Sequence, residues 1–275
     1  MFINVSEELK KARNDSYAIG AFNTNNLEAT KAICAAAKET SGSIIIQTTP
    51  GAIKYSGLRQ IFEIVKTEIE ETGISAALHL DHAKDLEIIK ECIDIGYRSV
   101  MIDGSKLPFA ENVALTRKVV DYARPKNVSV EAEIGVIGVD EGGENVGGGN
   151  LSSPEEVKRF IELTDIDSVA VSVGNEHGAP EHEKIDLKLL EEISKVVKIP
   201  LVMHGASGLS DDDINSVIKL GITKINIDTA IRRAFIEGLS NIPEGTKDYR
   251  EILKVSMDNI KNVVMGKIKL FYNKD

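Results

Sequence analysis

The sequence predicts an α/β fold: a single (β/α)₈ TIM barrel with a C-terminal helical extension, filling residues 1–275 as one unit. Three observations predict it. Eight short apolar runs recur along the chain, and segments with apolar residues at three- and four-residue spacing separate most of them. Histidines and acids then collect at the ends of the runs, which is where barrel enzymes place their chemistry.

In chain order the runs lie near Ala18 to Phe22, Ser43 to Thr49, Ala76 to Asp81, Ser99 to Asp103, Val128 to Glu133, Ser168 to Val173, Pro200 to His204 and Ile222 to Ile227. Helical periodicity marks Leu58 to Glu71, Leu86 to Ile95, Glu111 to Arg124, Leu187 to Val197 and Asp211 to Leu220. Ser153-Pro154-Glu155-Glu156 has the form of an N-cap followed by proline at the first helical position. From Tyr249 onward, Ile252, Val255, Ile260 and Val263 outline a terminal helix that packs on the barrel or on another subunit. No linker or charge block divides the chain, and the glycine-rich 142–149 stretch reads as a mobile active-site loop. A doubly wound open sheet is the alternative topology.

Composition narrows the function. A hydrophobic content of 42% with 28% charged residues is that of an ordinary globular chain, able to bury a large core. The net charge of −10, with no cluster of Lys and Arg, argues against nucleic-acid binding. No segment reaches the length of a membrane span or a signal peptide, so the expected location is cytoplasmic. Cys34 and Cys92 fall in helical apolar segments and read as buried free thiols.

His82, His177 and His204 each close a different strand or follow one closely. Three neutral imidazoles leave a position open on zinc, as a catalytic site requires. In the run ALHLDH, alternation puts His79 and Asp81 on one face and leaves His82 to turn at the strand end. His79 reads as a core residue satisfied by backbone partners, whereas two ionisable groups buried side by side, Asp81 and His82, point to function. Asp103 and Glu133 end the next two strands, as acceptors for imidazole N–H groups, as an alternative metal position, or as helix caps. His182, in a charged stretch, reads as surface. The loops after strands seven and eight, Gly205-Ala206-Ser207-Gly208 and Asn226-Ile227-Asp228-Thr229, occupy the usual phosphate-binding position of a barrel.

LHLDHA, SVMIDGS, VEAEIG, GNEHG, PLVMHGASG and KINIDT, in this order, resemble the class II, metal-dependent ketose-bisphosphate aldolases, and the likeness runs from GAFNTNN near residue 20 to about Arg250. The resemblance implies Zn²⁺ on His82, His177 and His204, with Glu133 and Asp103 near the metal. It implies Asp81 as the acid/base for the C4 hydroxyl, and Glu141 as the loop acid exchanging the carbon-bound proton of dihydroxyacetone phosphate. Gly178, Gly205 and Ser207 would bind the ketone-side phosphate with a monovalent cation (Na⁺ or K⁺). Asn226, Asp228 and Thr229 would complete that end, and Asn23 and Thr49 would contact substrate. Arg250 resembles the arginine that receives the second phosphate in a neighbouring subunit of a homodimer or homotetramer.

The chain departs from the family where Ala206 replaces the second glycine of HGGSG, where Ala230 replaces a common acid, in Ala179-Pro180, and in DYR for DPR around Arg250. If the backbone at Ala206 needs φ above zero, its methyl is strained. The chemistry suits the residues, because cleaving a bond beside a ketone leaves an enediolate charge, no Schiff-base lysine is evident, and a zinc ion on neutral imidazoles acts as a Lewis acid. The implied reaction is reversible cleavage of fructose 1,6-bisphosphate, with the tagatose epimer as the alternative substrate. Two other readings compete: a zinc hydrolase, which usually takes two ligands from His-x-His, and a phosphosugar-binding protein whose catalysis has lapsed.

Overall fold

All eight apolar runs are strands. The computed structural model describes residues 2–137, 150–176, 185–240, 242 and 245–272. In it β1 (Ile19–Asn23), β2 (Ile44–Thr48), β3 (Ala76–Ala83), β4 (Ser99–Ile102), β5 (Ser129–Ile134), β6 (Ser168–Val171), β7 (Leu201–Met203) and β8 (Ile222–Ile227) pair in chain order, all parallel. Pairing of β8 with β1 closes the barrel, which rules out the open doubly wound sheet.

The helices are α1 (Val5–Asn14), α2 (Leu27–Thr40), α3 (Pro50–Ser56), α4 (Leu58–Thr72), α5 (Leu86–Ile95), α6 (Phe109–Ala123), α7 (Pro154–Thr164), α8 (Leu187–Val196), α9 (Asp211–Lys219), α10 (Thr229–Ser240) and α11 (Tyr249–Phe271). Most begin where a short polar side chain accepts from an otherwise orphaned amide: Asn26 from Ala29, Thr49 from Ala52, Ser153 from Glu156, Asp186 from Leu189 and Ser210 from Asp213. Their apolar faces lie on the outward residues of the strands, and the inward residues face the barrel axis.

Helix α1 lies outside the strand–helix repeat and plugs the N-terminal end of the barrel. Its Val5, Leu9 and Ala12 pack against Ile19, Ala21, Ile45 and Ala77, a core of their own apart from the helix-covered one. Arg13 fastens it by donating to the Val197 carbonyl at 2.6 Å. The C-terminal extension is α11, which packs on α2 and α10 of its own chain. There Gly238 lets the two helices meet: a Cβ at that position would sit 2.5 Å from Cα and 2.6 Å from the amide nitrogen of Ser256. Tyr272 stacks on Tyr17 at 4.7 Å, and Ala18 donates to the Phe271 carbonyl at 2.9 Å, so the helix end is tied to the start of β1.

Cys34 and Cys92 are buried free thiols, both pushed up to about 12 by burial. Among the described residues no helix is long and apolar enough to cross a membrane.

Candidate active site

Inside the barrel, strand alternation stacks polar residues in two layers above the apolar plug. Position i of one strand and position i+2 share a face, so His79 and Asp81 on β3, Glu131 and Glu133 on β5, and Lys224 and Asn226 on β8 each supply a lower and an upper residue. All six are buried.

The upper layer centres on Asp81. Its Oδ1 accepts from Asn226 Nδ2 at 3.1 Å, and its Oδ2 accepts from Gln47 Nε2 at 3.0 Å and Asn23 Nδ2 at 3.4 Å. Three amides from three strands therefore hold the carboxylate in one orientation, with nothing cationic bonded to it among these contacts. Strict alternation would turn the next residue, His82, out of the barrel. Instead the register between β3 and β4 shifts between Leu80 and Ala83, and His82 takes a φ of +49°. A non-glycine residue there costs about 1–3 kcal/mol. That strain brings two successive side chains into the same mouth.

His82 and His204 meet edge to face, ring centroids 4.5 Å apart, with His82 Nε2 2.8 Å from His204 Nδ1. The outer nitrogen of each ring faces a carboxylate: His82 Nδ1 lies 3.4 Å from Asp103 Oδ2, and His204 Nε2 lies 3.0 Å from Glu131 Oε1. Asp103 lies within reach of the imidazole, as one expectation had it, but it caps no helix: its other oxygen, Oδ1, accepts from the Ser105 amide at 3.1 Å and hydroxyl at 2.7 Å in the turn after β4, and α6 begins beyond it at Phe109 behind Pro108. Burial alone would raise its pKa, but the His82 ring and the Ser105 donors outweigh it and hold the carboxyl well below the usual range. Glu133 goes the other way. Burial, and then the charge of Asp103, push it up to about 8. Asp228 is also raised, by burial first, although Arg232 NH2 sits 2.8 Å from its Oδ2.

Three buried acceptor atoms here have no hydrogen-bond partner: Glu133 Oε2, Gln47 Oε1 and Asn226 Oδ1. Buried acceptors are normally satisfied. The first lies 3.6 Å from His204 Nδ1, and ligand atoms of Asp81, His82 and His204 all fall within 4.8 Å of one another. Imidazole nitrogens beside carboxylate oxygens form a donor set that suits a divalent transition metal.

Next to this cluster opens a cavity of about 450 Å³ whose lining includes Asn23, Asn25, Thr49, Tyr55, Asp228 and Arg232. The candidates Asn23, Thr49 and Asp228 are thus brought together with Asp81 and Asn226. Gly205 sits just after β7 at φ +69°, and a Cβ there would run into the Glu176 carbonyl oxygen. Ser207 follows in a short 3₁₀ turn, and Thr229 starts α10. Arg250 is exposed at the start of α11, bonded through Nε and NH2 to Asp248, and does not line the cavity. His177, Gly178 and Glu141 lie outside the described residues, as do His182, Ala179-Pro180 and the 142–149 loop.

Residues 3–275 match the family model of class II fructose-bisphosphate aldolases. The chain belongs to this family. Among solved structures it is similar to the YdjI aldolase of Escherichia coli K12, with a TM-score of 0.88 and 29% identity over 98% of this chain and 97% of that one. A candidate fructose-1,6-bisphosphate aldolase from Coccidioides immitis gives 0.90 and 28%, over 98% and 96%. The fructose-bisphosphate aldolase of Campylobacter jejuni shares the fold, with a TM-score of 0.84 and 24% identity over 99% and 96%.

Two expectations for this aldolase change. Ala206 is not strained: the positive φ falls on Gly205, while Ala206 is fully buried and helical. His79 is a core residue, but its partners are side chains, Ser99 Oγ at 2.8 Å and Lys224 Nζ at 3.4 Å. Glu131, Lys224, Gln47 and Arg232 also lie in or beside the candidate site, and none of them is among the residues the sequence singles out. The first two carried a signal, each standing two residues before a chosen candidate on the same strand. Gln47 stood out as the one amide in the run IIIQT. Arg232 had no such mark, because its role comes from the turn that begins α10 beside Asp228.

Proposed function

We propose that the protein cleaves a ketose 1,6-bisphosphate reversibly, fructose 1,6-bisphosphate before its tagatose epimer, to dihydroxyacetone phosphate and glyceraldehyde 3-phosphate, and that residues 1–275 work as one cytoplasmic catalytic unit. The observation that carries this reading is Asp81, a buried carboxylate held by three amides, side by side in sequence with a histidine that touches a second one. Family membership supplies the reaction class.

His82 and His204 hold Zn²⁺, completed by His177, with Glu133 and Asp103 beside it. When bound, the ion supplies Lewis-acid stabilisation of the negative charge left on the ketone side as the carbon–carbon bond breaks. Asp81 takes the proton from the C4 hydroxyl. The amides of Asn23, Gln47 and Asn226 keep its carboxylate aimed, and their remaining oxygens, two of them lacking a partner, suit the hydroxyl donors of a sugar. Glu141 returns a proton to carbon. Gly178, Gly205, Ser207, Asn226 and Thr229 bind the ketone-side phosphate with Na⁺ or K⁺. Asp228 and Arg232 face the cavity that takes the rest of the substrate, with Thr49 opposite. Arg250, exposed and on the protein's edge, serves a second subunit of a homodimer or homotetramer.

The test is a side-by-side kinetic comparison of the two epimeric bisphosphates, reading dihydroxyacetone phosphate release, together with solvent-deuterium exchange into dihydroxyacetone phosphate alone. Exchange and faster cleavage of the fructose epimer are expected. Exchange without cleavage of either epimer would reject the substrate, and loss of both would reject the reaction.

A further inference from the structure

The lower polar layer of the barrel has no part in the reaction above, yet it is the most thoroughly buried polar cluster described. In it His79 and Lys224 show no exposed surface and Glu131 shows 1%, and His204, one of the proposed metal ligands, lies against it with none exposed. Lys224 Nζ lies 3.1 and 2.9 Å from the two oxygens of Glu131 and 3.4 Å from His79 Nε2, which occupies the three protons of an ammonium. His79 then donates through Nδ1 to Ser99 Oγ at 2.8 Å. On the other side, Glu131 Oε1 faces His204 Nε2 at 3.0 Å.

An ion pair sealed in a barrel core seldom stabilises a protein more than well-packed apolar residues would, since two desolvation penalties oppose one attraction. Apolar filling of the barrel interior is available to this chain: Ala77 and Ile45 occupy the layer beneath. The pair therefore calls for another purpose, and the proton inventory supplies one. With both oxygens of Glu131 turned toward donors, the carboxylate can only accept from His204, which puts the His204 proton on Nε2. Nδ1 is then the acceptor nitrogen, and it points at His82 Nε2, 2.8 Å away. His82 is set the same way by Asp103.

We infer that Lys224 and Glu131 are positioning residues that fix the ring orientation and tautomer of His204 so that Nδ1 is presented to the metal. The inference rests on the proposed zinc site. It assigns a task to a lysine that would otherwise suggest imine chemistry: its ammonium is committed to Glu131.

The experiment measures zinc affinity, by competition with a chromophoric chelator, and the visible spectrum of the cobalt-substituted protein, in Glu131→Gln, Lys224→Met and the double variant, with thermal melting alongside. Carboxylate partners of metal-bound histidines typically contribute about 10- to 100-fold in affinity. Glu131→Gln should weaken zinc by that factor and shift the cobalt bands. Lys224→Met should lower the melting temperature by stranding a buried charge, and the double variant should recover it. Zinc affinity should stay low in the double variant, because the carboxylate is still missing. A purely structural pair would instead restore affinity together with stability, and that result overturns the inference. So does a single Glu131→Gln variant with wild-type affinity, a measurement that stands even if Lys224→Met does not fold. Wild-type protein that takes up no zinc overturns both the inference and the reading beneath it.

Discussion

Replacing Glu133 with glutamine in chelator-treated protein should raise stability, by an amount that grows with pH. Glu133 is 3% exposed, and burial followed by the neighbouring Asp103 charge raises it from 4.5 to about 8. Below pH 4.5 the group is protonated folded or unfolded, so glutamine and the protonated acid are close mimics and the two proteins should unfold alike. Between pH 4.5 and 8 the unfolded chain loses the proton and the folded chain keeps it. The stability present at low pH is thus lost as pH rises through the folded value, at about 1.4 kcal/mol per pH unit, toward an upper bound of about 5 kcal/mol. Urea unfolding in chelator at pH 5, 6.5 and 8 reads this gap directly. Saturating zinc should close or reverse it, because a cation beside Glu133 favours the carboxylate. A gap independent of pH would refute the assignment of a raised, uncompensated acid at this position.

Asp81→Asn should lower kcat about 10²- to 10⁴-fold, the usual contribution of a general acid/base group, with a much smaller change in KM, as steady-state kinetics will read. Gly238→Ala should destabilise the fold by about 1–3 kcal/mol in thermal unfolding, since a Cβ would meet the Ser256 backbone at 2.5 Å and push α10 off α11. Cys34 and Cys92, raised by burial from 9.0 to about 12, should resist alkylation at pH 8 until the protein is unfolded, and the stability they contribute should be full below pH 9 and decline above it.

Much of this molecule was legible in its residues, and the parts that were not share a cause. Short apolar runs bounded by caps locate all eight strands to within a residue or two, because strands covered by helices carry little else. Asp81, Asn226, Asp228 and the two described histidines could be picked out because polar residues at strand ends are costly without a use. His82 was placed at the mouth for the right reason only in part: its arrival there depends on a positive φ and a register shift, neither of which periodicity encodes. Glu131 and Lys224 stand one layer below the strand ends, where position alone gives no hint of function, although the two-residue repeat that selects Glu133 and Asn226 also selects them. The α1 plug, with Val5, Leu9 and Ala12 on one face behind the Asn4 cap, had its pattern in plain view but no place in a strand–helix repeat. At Ala206 the condition for strain is not met, because the demanding backbone angle belongs to its neighbour Gly205, and the sequence alone does not say which of the two residues carries it.

The most direct test of the account is to strip the protein with chelator, confirm that it stays folded, and titrate zinc back while following dihydroxyacetone phosphate release from fructose 1,6-bisphosphate. The account predicts that cleavage disappears on stripping and returns in proportion to zinc until the chains are saturated. Undiminished cleavage in the metal-free protein, with substrate trapped on Lys224 by borohydride, would contradict it.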